Sequence, residues 1–282
     1  ICFSKLEIKP AYQSQFYSSG SDIIIENRPL YILGLGIKFQ YRKNNFFLNG
    51  NFTNNRFHGT RSKPNLFNSK KGIGWIGTHE LTGKKFDYDI SSLELSYSID
   101  DYTFMISTLN PVVDISYSSL LISNKIPTIP HFSFYWNIDA NKRYSYFHGR
   151  LKSEVLDSSN IDILGNRNTE LERYFVFHQL IYEPVEFIEF RFGEFVVYGN
   201  RGLEFSYLPF IPFWSIQHSL GDLDNIQWNL KSIIKPSNNL KIYNVILIDE
   251  LRPGVMFEKN NRNWVAWQLG VLFDDIFFKA YQ

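Results

Sequence analysis

The sequence predicts an all-β chain folded as an antiparallel, up-and-down transmembrane β-barrel, and three observations lead to this prediction. Apolar and polar residues alternate in one segment after another, as expected when the two faces of a strand meet different surroundings. Many of these segments reach the roughly nine to eleven residues that a tilted strand needs to cross a bilayer. Short polar turns and long connections alternate along the chain, as in a barrel with turns at one end and loops at the other.

Five segments show the alternation most clearly: 31–42, 90–99, 185–196, 225–234 and 262–273. Further strands are predicted at 3–9, 45–53, 102–109, 131–139, 143–156, 172–183, 239–249 and 276–282. In 31–42, for example, Leu33, Leu35 and Ile37 share one face, while glycines and polar residues occupy the other. About thirteen strands result. Because bacterial barrels of one chain have an even number of strands, we expect at least one more.

The connections set the direction of the predicted barrel. Tight polar turns are expected near residues 42–45, 100–101, 139–142, 183–184, 236–239 and 274–275. Long connections are expected at 10–30, 54–89, 110–130, 157–171, 199–224 and 250–261. In an outer-membrane barrel the short turns lie on the periplasmic side and the long loops face outward.

Composition narrows the class of protein. The chain has 26 Phe, 17 Tyr and 6 Trp, and this aromatic richness is typical of the girdles at membrane interfaces. A formal net charge of +1 does not favour a nucleic-acid partner. Cys2 is the only cysteine, which excludes a disulfide framework within the chain and suits an oxidising compartment such as the periplasm. We expect one barrel domain over 1–282 that is a fragment of a longer barrel, because the sequence opens without Met and ends within a strand-like pattern.

Signals for catalysis are weak. Residues 72–77 match the glycine pattern G-x-G-x-x-G, but they lack the preceding strand and following helix of a dinucleotide site. The six histidines show no metal-ligand spacing, and no carboxylate pair stands out for sugar hydrolysis. We therefore expect no enzyme activity, no cofactor and no metal.

The segment 192–225 is the most distinctive part of the chain. It contains a Gly-Asn-Arg-Gly turn at 199–202, an aromatic run and two prolines, and it ends in the acidic stretch 222–224. Tyrosine and tryptophan faces stack on sugar rings, and arginine and aspartate bond hydroxyl groups. The residues that predict carbohydrate binding are Tyr198, Arg201, Tyr207, Trp214, Asp222 and Asp224. The alternative is a loop packed into the lumen for stability.

The same segment resembles the capsule-assembly (Wzi-type) outer-membrane family. The matching residues are Tyr198, Gly199, Arg201, Gly202, Glu204, Tyr207, Pro209, Pro212, Asp224 and Asn225. Residues 120–127 and 247–250 are similar to two further stretches of that family. The chain departs from the family pattern at Asn200, where a second glycine is usual, at Glu250, and at 110–113.

This resemblance implies a monomeric protein of the bacterial outer membrane that binds surface or capsular polysaccharide without catalysis and assists capsule assembly or attachment. The loops 199–224 and 110–130 would contact the glycan. Two other classes stay open. A porin or transporter would line a wet channel with Lys38, Gln40, Arg42, Glu189, Arg191 and Lys231. A soluble β-sandwich that binds or hydrolyses glycans would bury the apolar faces of its strands against each other.

Overall fold

The chain is an all-β molecule, and the computed structural model describes residues 5–17, 30–58, 79–81, 85–109, 113, 119–122, 129–151, 153, 155–161, 168–249, 258 and 264–273. These residues fall into two compact units. In both units the strands are antiparallel and follow an up-and-down order along the chain, which confirms the predicted fold class.

The strands of the first unit are β1 (Lys5–Tyr17), β2 (Leu30–Lys43), β3 (Phe46–His58), β4 (His79–Leu81), β5 (Lys85–Ile99) and β6 (Tyr102–Ser107). The first residue of β6, Tyr102, is assigned to the second unit. They pair in the order β1-β2-β3-β5-β6, with β4 on β5. On one face, Gly34 and Gly36 lie opposite Asn55 and Thr53 of β3. A side chain at Gly34 would collide with the buried Asn55 amide, so glycine leaves the space that this amide fills.

The second unit contains β7 (His131–Asn137), β8 (Lys142–Leu151), β9 (Leu156–Ile161), β10 (Asn168–Glu170), β11 (Arg173–Val185), β12 (Ile188–Gly199), the helix α1 (Phe213–Ser219), β13 (Asn225–Ser237), β14 (Leu240–Asp249) and β15 (Trp264–Phe273). Its sheet has the order β7-β8-β11-β12-β13-β14-β15, while β9 and β10 form a separate hairpin.

The two faces of each sheet differ in the way the alternation predicts. One face, called here the apolar face, leaves large apolar side chains exposed. In the first unit these include Leu6, Ile8, Leu33, Leu35, Ile37, Phe52, Leu93 and Ile106. In the second unit they include Leu180, Tyr182, Phe190, Phe192, Leu230, Ile234, Val265, Trp267, Leu269, Val271 and Phe273.

The opposite face, called here the polar face, carries the residues predicted to point inward. Lys38, Gln40 and Arg42 alternate with Ile37, Phe39 and Tyr41 along β2. In the second unit the polar face buries charged and amide side chains: Gln179, Glu189, Asn229 and Lys231. The alternation therefore separates an apolar from a polar face in both units.

Several predicted connections are too long. The strand β1 continues to Tyr17, β3 continues to His58, and β5 begins at Lys85, so strands occupy parts of 10–30 and 54–89. At the end of β3 the polar residue Asn54 donates to Asp89 Oδ1 at 2.8 Å. Polar pairs of this kind extend a strand without apolar alternation, so the pattern misses them. The predicted strand 276–282 lies outside the described residues.

Two shorter elements were also missed. The predicted connection 157–171 holds much of the β9–β10 hairpin, and 199–224 holds the two-turn helix α1. A helix of this length has too few turns to show a 3.6-residue period. In the described part of the chain, the structure has no helix with the length and apolar character needed to span a membrane.

Candidate functional site

The connection between β12 and β13, residues 200–224, is named the strap here. It folds back over the apolar face of the second unit at the end of the sheet where β12 terminates. Its side chains Tyr207 and Phe213 are completely buried there, in a cluster with Val176, Val196 and Tyr198. The inner side of the strap therefore packs on the apolar face and not on the polar face.

Four of the six predicted carbohydrate residues meet around the Asp224 carboxylate. The Arg201 guanidinium forms a bidentate pair with it, with Nη1 at 2.9 Å from Oδ1 and Nη2 at 2.5 Å from Oδ2. The Tyr207 hydroxyl donates to Oδ2 at 2.6 Å, and Gln217 Nε2 donates to the Asp224 backbone oxygen at 2.5 Å. The Arg201 guanidinium also lies 4.8 Å from the centre of the Tyr198 ring.

Tyr198 ties this cluster to the sheet. Its hydroxyl lies 2.8 Å from His148 Nε2 and accepts a 2.8 Å hydrogen bond from the backbone N–H of Glu204. From β8, two strands away in the sheet, the Tyr146 hydroxyl donates to the carbonyl of Tyr207 at 2.7 Å. Tyr198 and Tyr146 thus bind the backbone of the strap at Glu204 and Tyr207, and both hydroxyl groups form hydrogen bonds within the protein.

The charges of the strap are fixed by these contacts. Burial, together with the hydrogen bond to Asp224, raises the pKa of the Tyr207 phenol, which stays protonated as the donor. The hydrogen bonds that Arg201 donates to the Asp224 carboxylate raise the pKa of the Arg201 guanidinium. The hydroxyl and N–H of Ser206 hold the pKa of Glu204 below its usual value. Arg201 and Asp224 therefore form a charge-assisted, two-pronged pair, the strong form of this interaction.

The conformation of the turn suits an asparagine at position 200. Asn200 has φ of 60°, in the left-handed region that asparagine tolerates better than most residues. Phe210 also has positive φ, at 72°, which is unusual for a bulky residue. Its N–H donates to the Tyr144 hydroxyl at 2.9 Å, and the two rings stack 4.7 Å apart. These contacts hold the strained residue in place.

The remaining two predicted residues lie apart from this cluster. Trp214 is 49% exposed on α1, with its ring 6.4 Å from that of His218. Asp222 is exposed and its Oδ1 lies 2.7 Å from His218 Nδ1. By contrast Tyr198 is only 2% and Tyr207 0% exposed. Of the six residues, the aromatic and acidic groups open to a ligand are therefore Trp214 and Asp222.

A second carboxylate under the strap was missed by the sequence analysis. Glu194 is 4% exposed and accepts three hydrogen bonds. They come from the backbone N–H of Phe213 at 2.7 Å, from Trp228 Nε1 at 2.8 Å and from His178 Nε2 at 3.1 Å. His178 Nδ1 in turn lies 3.0 Å from the Tyr144 hydroxyl. The sequence did carry one signal for Glu194. It occupies the next alternate position after Phe190 and Phe192 on β12, where the pattern calls for an apolar residue.

The polar face of the second unit holds another candidate region. A cavity of about 300 Å³ is lined in part by Asn137, Arg143, Gln179 and Arg191. Arg191 Nη1 donates to the backbone oxygen of Val113 at 3.4 Å. Leu120 and Leu121 pack against a buried cluster that contains Ile233, Tyr243 and Val245. In the predicted glycan loop 110–130, Val113, Leu120 and Leu121 thus lie on the polar face.

On that face the Glu189 carboxylate forms ion pairs with two basic side chains. Arg191 Nε lies 2.5 Å and Lys235 Nζ 2.9 Å from its carboxylate oxygens. Within the described residues, no group of three or more His, Cys, Asp or Glu side chains is arranged to hold a metal ion.

Comparison with known proteins gives one distant likeness. No protein-family model matches the chain, and no curated protein matches it. Among solved structures, the NanC porin aligns over 94% of this chain and 98% of its own, with 9% sequence identity and a TM-score of 0.39.

Proposed function

We propose that this chain forms a β-barrel in a bacterial outer membrane, with its apolar faces toward lipid. The observation that carries the proposal is the exposure of large apolar side chains along whole strands. On β15, for example, Trp267 is 64% and Leu269 is 60% exposed. Apolar surface left in water costs about 25 cal/mol per Å², and lipid removes this cost.

The distribution of burial argues against a soluble sandwich. A sandwich packs the apolar faces of two sheets together and leaves the polar faces in water. In the second unit the polar face buries Glu189, Asn229 and Lys231, while the uncovered part of the apolar face is open. This inversion supports a barrel, whose lumen is polar and whose outside is apolar.

A matched pair of labelled variants on β15 tests the membrane location. In a Cys2→Ser background, Leu269→Cys and Gln268→Cys place a bimane label on the apolar and the polar face. In vesicles that contain brominated lipids, we expect strong quenching at Leu269 and weak quenching at Gln268. Equal, weak quenching at both positions, together with a protein that stays in buffer without detergent, would reject the proposal.

For the role of the barrel, we propose binding of a surface or capsular polysaccharide by a monomer, without catalysis. Besides the family resemblance, the support is the group of Trp214, His218 and Asp222 at the exposed side of the strap. An open indole face next to a carboxylate and an imidazole suits a sugar ring with its hydroxyl groups. The buried Tyr198, Tyr207 and Asp224, with the partly buried Arg201, would then support the surface that carries this group.

Cells and purified protein can both test this role. We expect Trp214→Ala and Asp222→Asn each to weaken polysaccharide binding about tenfold, the effect of losing roughly 1.4 kcal/mol of binding free energy. The exposed variant Leu203→Ala, on the same strap, serves as the matched control. Full glycan retention on cells that carry the double variant would contradict the role and leave the barrel proposal untouched.

A porin or transporter is the second candidate, favoured by the cavity beside Arg143, Gln179 and Arg191. A lumen with such side chains would pass small polar solutes. Single-channel recording in planar bilayers distinguishes the two roles. Steady conductance that changes in Arg143→Gln would favour the channel, and a closed barrel would favour the binding protein.

A further inference from the structure

The outer surface of the strap is unusually apolar for a connection between strands. Besides Trp214, which is proposed above to contact the glycan, its exposed apolar side chains are Leu203, Phe205, Leu208, Phe210, Ile211 and Leu223. Its polar side chains Arg201, Tyr207 and Asp224 bond to one another on the inner side. Connections in water usually show the opposite arrangement, and an exposed apolar patch marks a surface that meets another apolar phase.

The height of the apolar band shows which phase this is. On β15 the exposed series Val265 to Phe273 covers nine residues, or about 22 Å across a membrane for a strand tilted by about 45°. On β12 the uncovered part, Ile188 to Phe192, covers five residues, or about 12 Å. A lipid-facing band is about 25 Å tall. The sheet under the strap therefore provides only half of the band.

The missing half coincides with the strap. The row of Leu180, Phe192 and Leu230 is the last exposed row on β11, β12 and β13. The next row contains His178, Glu194 and Trp228, and Phe213 of the strap covers it. Without this cover, a carboxylate would lie on the lipid side of the sheet, where charged groups destabilise a barrel.

We propose that the strap contacts the acyl chains of the outer leaflet and completes the apolar band above Phe192. Phe205, Leu208 and Leu223 provide the lipid contact, while Glu194 and Asp224 hold the inner side of the strap through hydrogen bonds. The proposal rests on the membrane location proposed above and goes beyond it, because it assigns a connection between strands to the lipid-facing surface.

Nitroxide labels can locate the strap relative to lipid. In the full chain with Cys2→Ser, reconstituted in vesicles, single cysteines replace Phe205, Leu208 and Leu223, whose exposed side chains leave room for the label. Leu269→Cys on the apolar face is the lipid reference, and Asn141→Cys in the β7–β8 turn is the water reference. Oxygen, which dissolves in lipid, and a water-soluble nickel chelate are compared as relaxing agents.

The outcomes separate the two proposals. We expect the three strap sites to show the oxygen preference of Leu269. A nickel preference at the strap with an oxygen preference at Leu269 would overturn the strap proposal and leave the barrel intact. A nickel preference at Leu269 as well would reject the membrane location itself. Immobilised strap labels reached by neither agent would indicate a protein partner or a second copy, and would also overturn the proposal.

Bimane labels at the same positions give an independent measurement. Quenching by lipids brominated near the headgroup should match or exceed quenching by lipids brominated near the bilayer centre, because the strap covers the upper half of the band. Deeper quenching at the strap than at Leu269 would contradict the proposed placement.

Discussion

Two regions of the second unit form an apolar surface in different ways. The strand β15 is bare, and its alternate side chains from Val265 to Phe273 are exposed along its length. On β11, β12 and β13 the apolar face is exposed only up to the row of Leu180, Phe192 and Leu230, and the strap covers the rows beyond it. The comparison shows that an apolar surface can be built from one strand or from a connection that buries polar groups beneath it.

The covered region depends on polar contacts that the bare region does not need. Beneath the strap, Glu194 alone accepts three hydrogen bonds, and Asp224 receives Arg201 and Tyr207. A buried carboxylate that loses its partners is costly, so these contacts must form together. The four predictions below test this difference, from the largest expected effect to the smallest.

Removal of the Glu194 carboxylate should have the largest effect. In Glu194→Ala the N–H of Phe213, the Trp228 indole and His178 lose their acceptor while still buried. We expect the free energy of unfolding to fall by about 3–5 kcal/mol. Urea titration in lipid vesicles measures it. The exposed Glu186→Ala in the β11–β12 turn is the control, and an equally small change in both variants would show that Glu194 does not hold the strap.

A charge on the bare strand tests the other region. Leu269→Lys should lower the free energy of unfolding by about 2–4 kcal/mol, because the ammonium group would lie in hydrocarbon. The neighbouring Gln268→Lys points to the polar face and should change it much less. The same titration measures both variants. Similar losses in the two variants would remove the distinction between the faces.

Loss of the Asp224 carboxylate should loosen the strap without unfolding the sheet. We expect Asp224→Ala to lower stability by about 2–3 kcal/mol, since Arg201 and Tyr207 lose a shared acceptor. Limited trypsin digestion should then cut after Arg201. Asp222→Ala removes an exposed carboxylate two residues away and should leave the strap resistant. Resistance in Asp224→Ala would mean that the aromatic cluster holds the strap alone.

Removal of the Tyr207 hydroxyl should have the smallest effect and a characteristic pH dependence. At neutral pH we expect Tyr207→Phe to lose about 1–2 kcal/mol. The folded protein raises the pKa of this phenol, so its stabilising contribution is complete below the ordinary value of about 10 and is lost as pH rises above it. The stability difference between the wild type and Tyr207→Phe should therefore shrink above pH 10. A constant difference would contradict the buried, protonated phenol.

The alternation of the sequence was sufficient to predict the sheets and their faces. Each of Leu33, Leu35 and Ile37 is exposed on the predicted face, because a strand's period of two fixes which side chains share a side. Strand ends were less predictable. Pairing at Asn54 continues through polar contacts that carry no periodic signal.

The site was predicted in part. The residue types around Asp224 were identified from one continuous segment, and the fold brings four of the six together. Their burial could not be predicted, because it depends on the strap folding back onto strands distant in sequence, such as β8 with Tyr146. Glu194 was detectable by its position in the apolar series, but a single exception in a pattern does not reveal what covers it.

The order of the strands also has a consequence for the folding rate. Pairs such as β11 with β12 are hairpins joined by tight turns, so their contacts have low contact order and form early. The pair β12 with β13 must instead close a loop of the whole strap, and the entropy of loop closure rises with its length. We expect this pair to form after the β11–β12 and β13–β14 hairpins, and the ion pair between Arg201 and Asp224 to form in the same step.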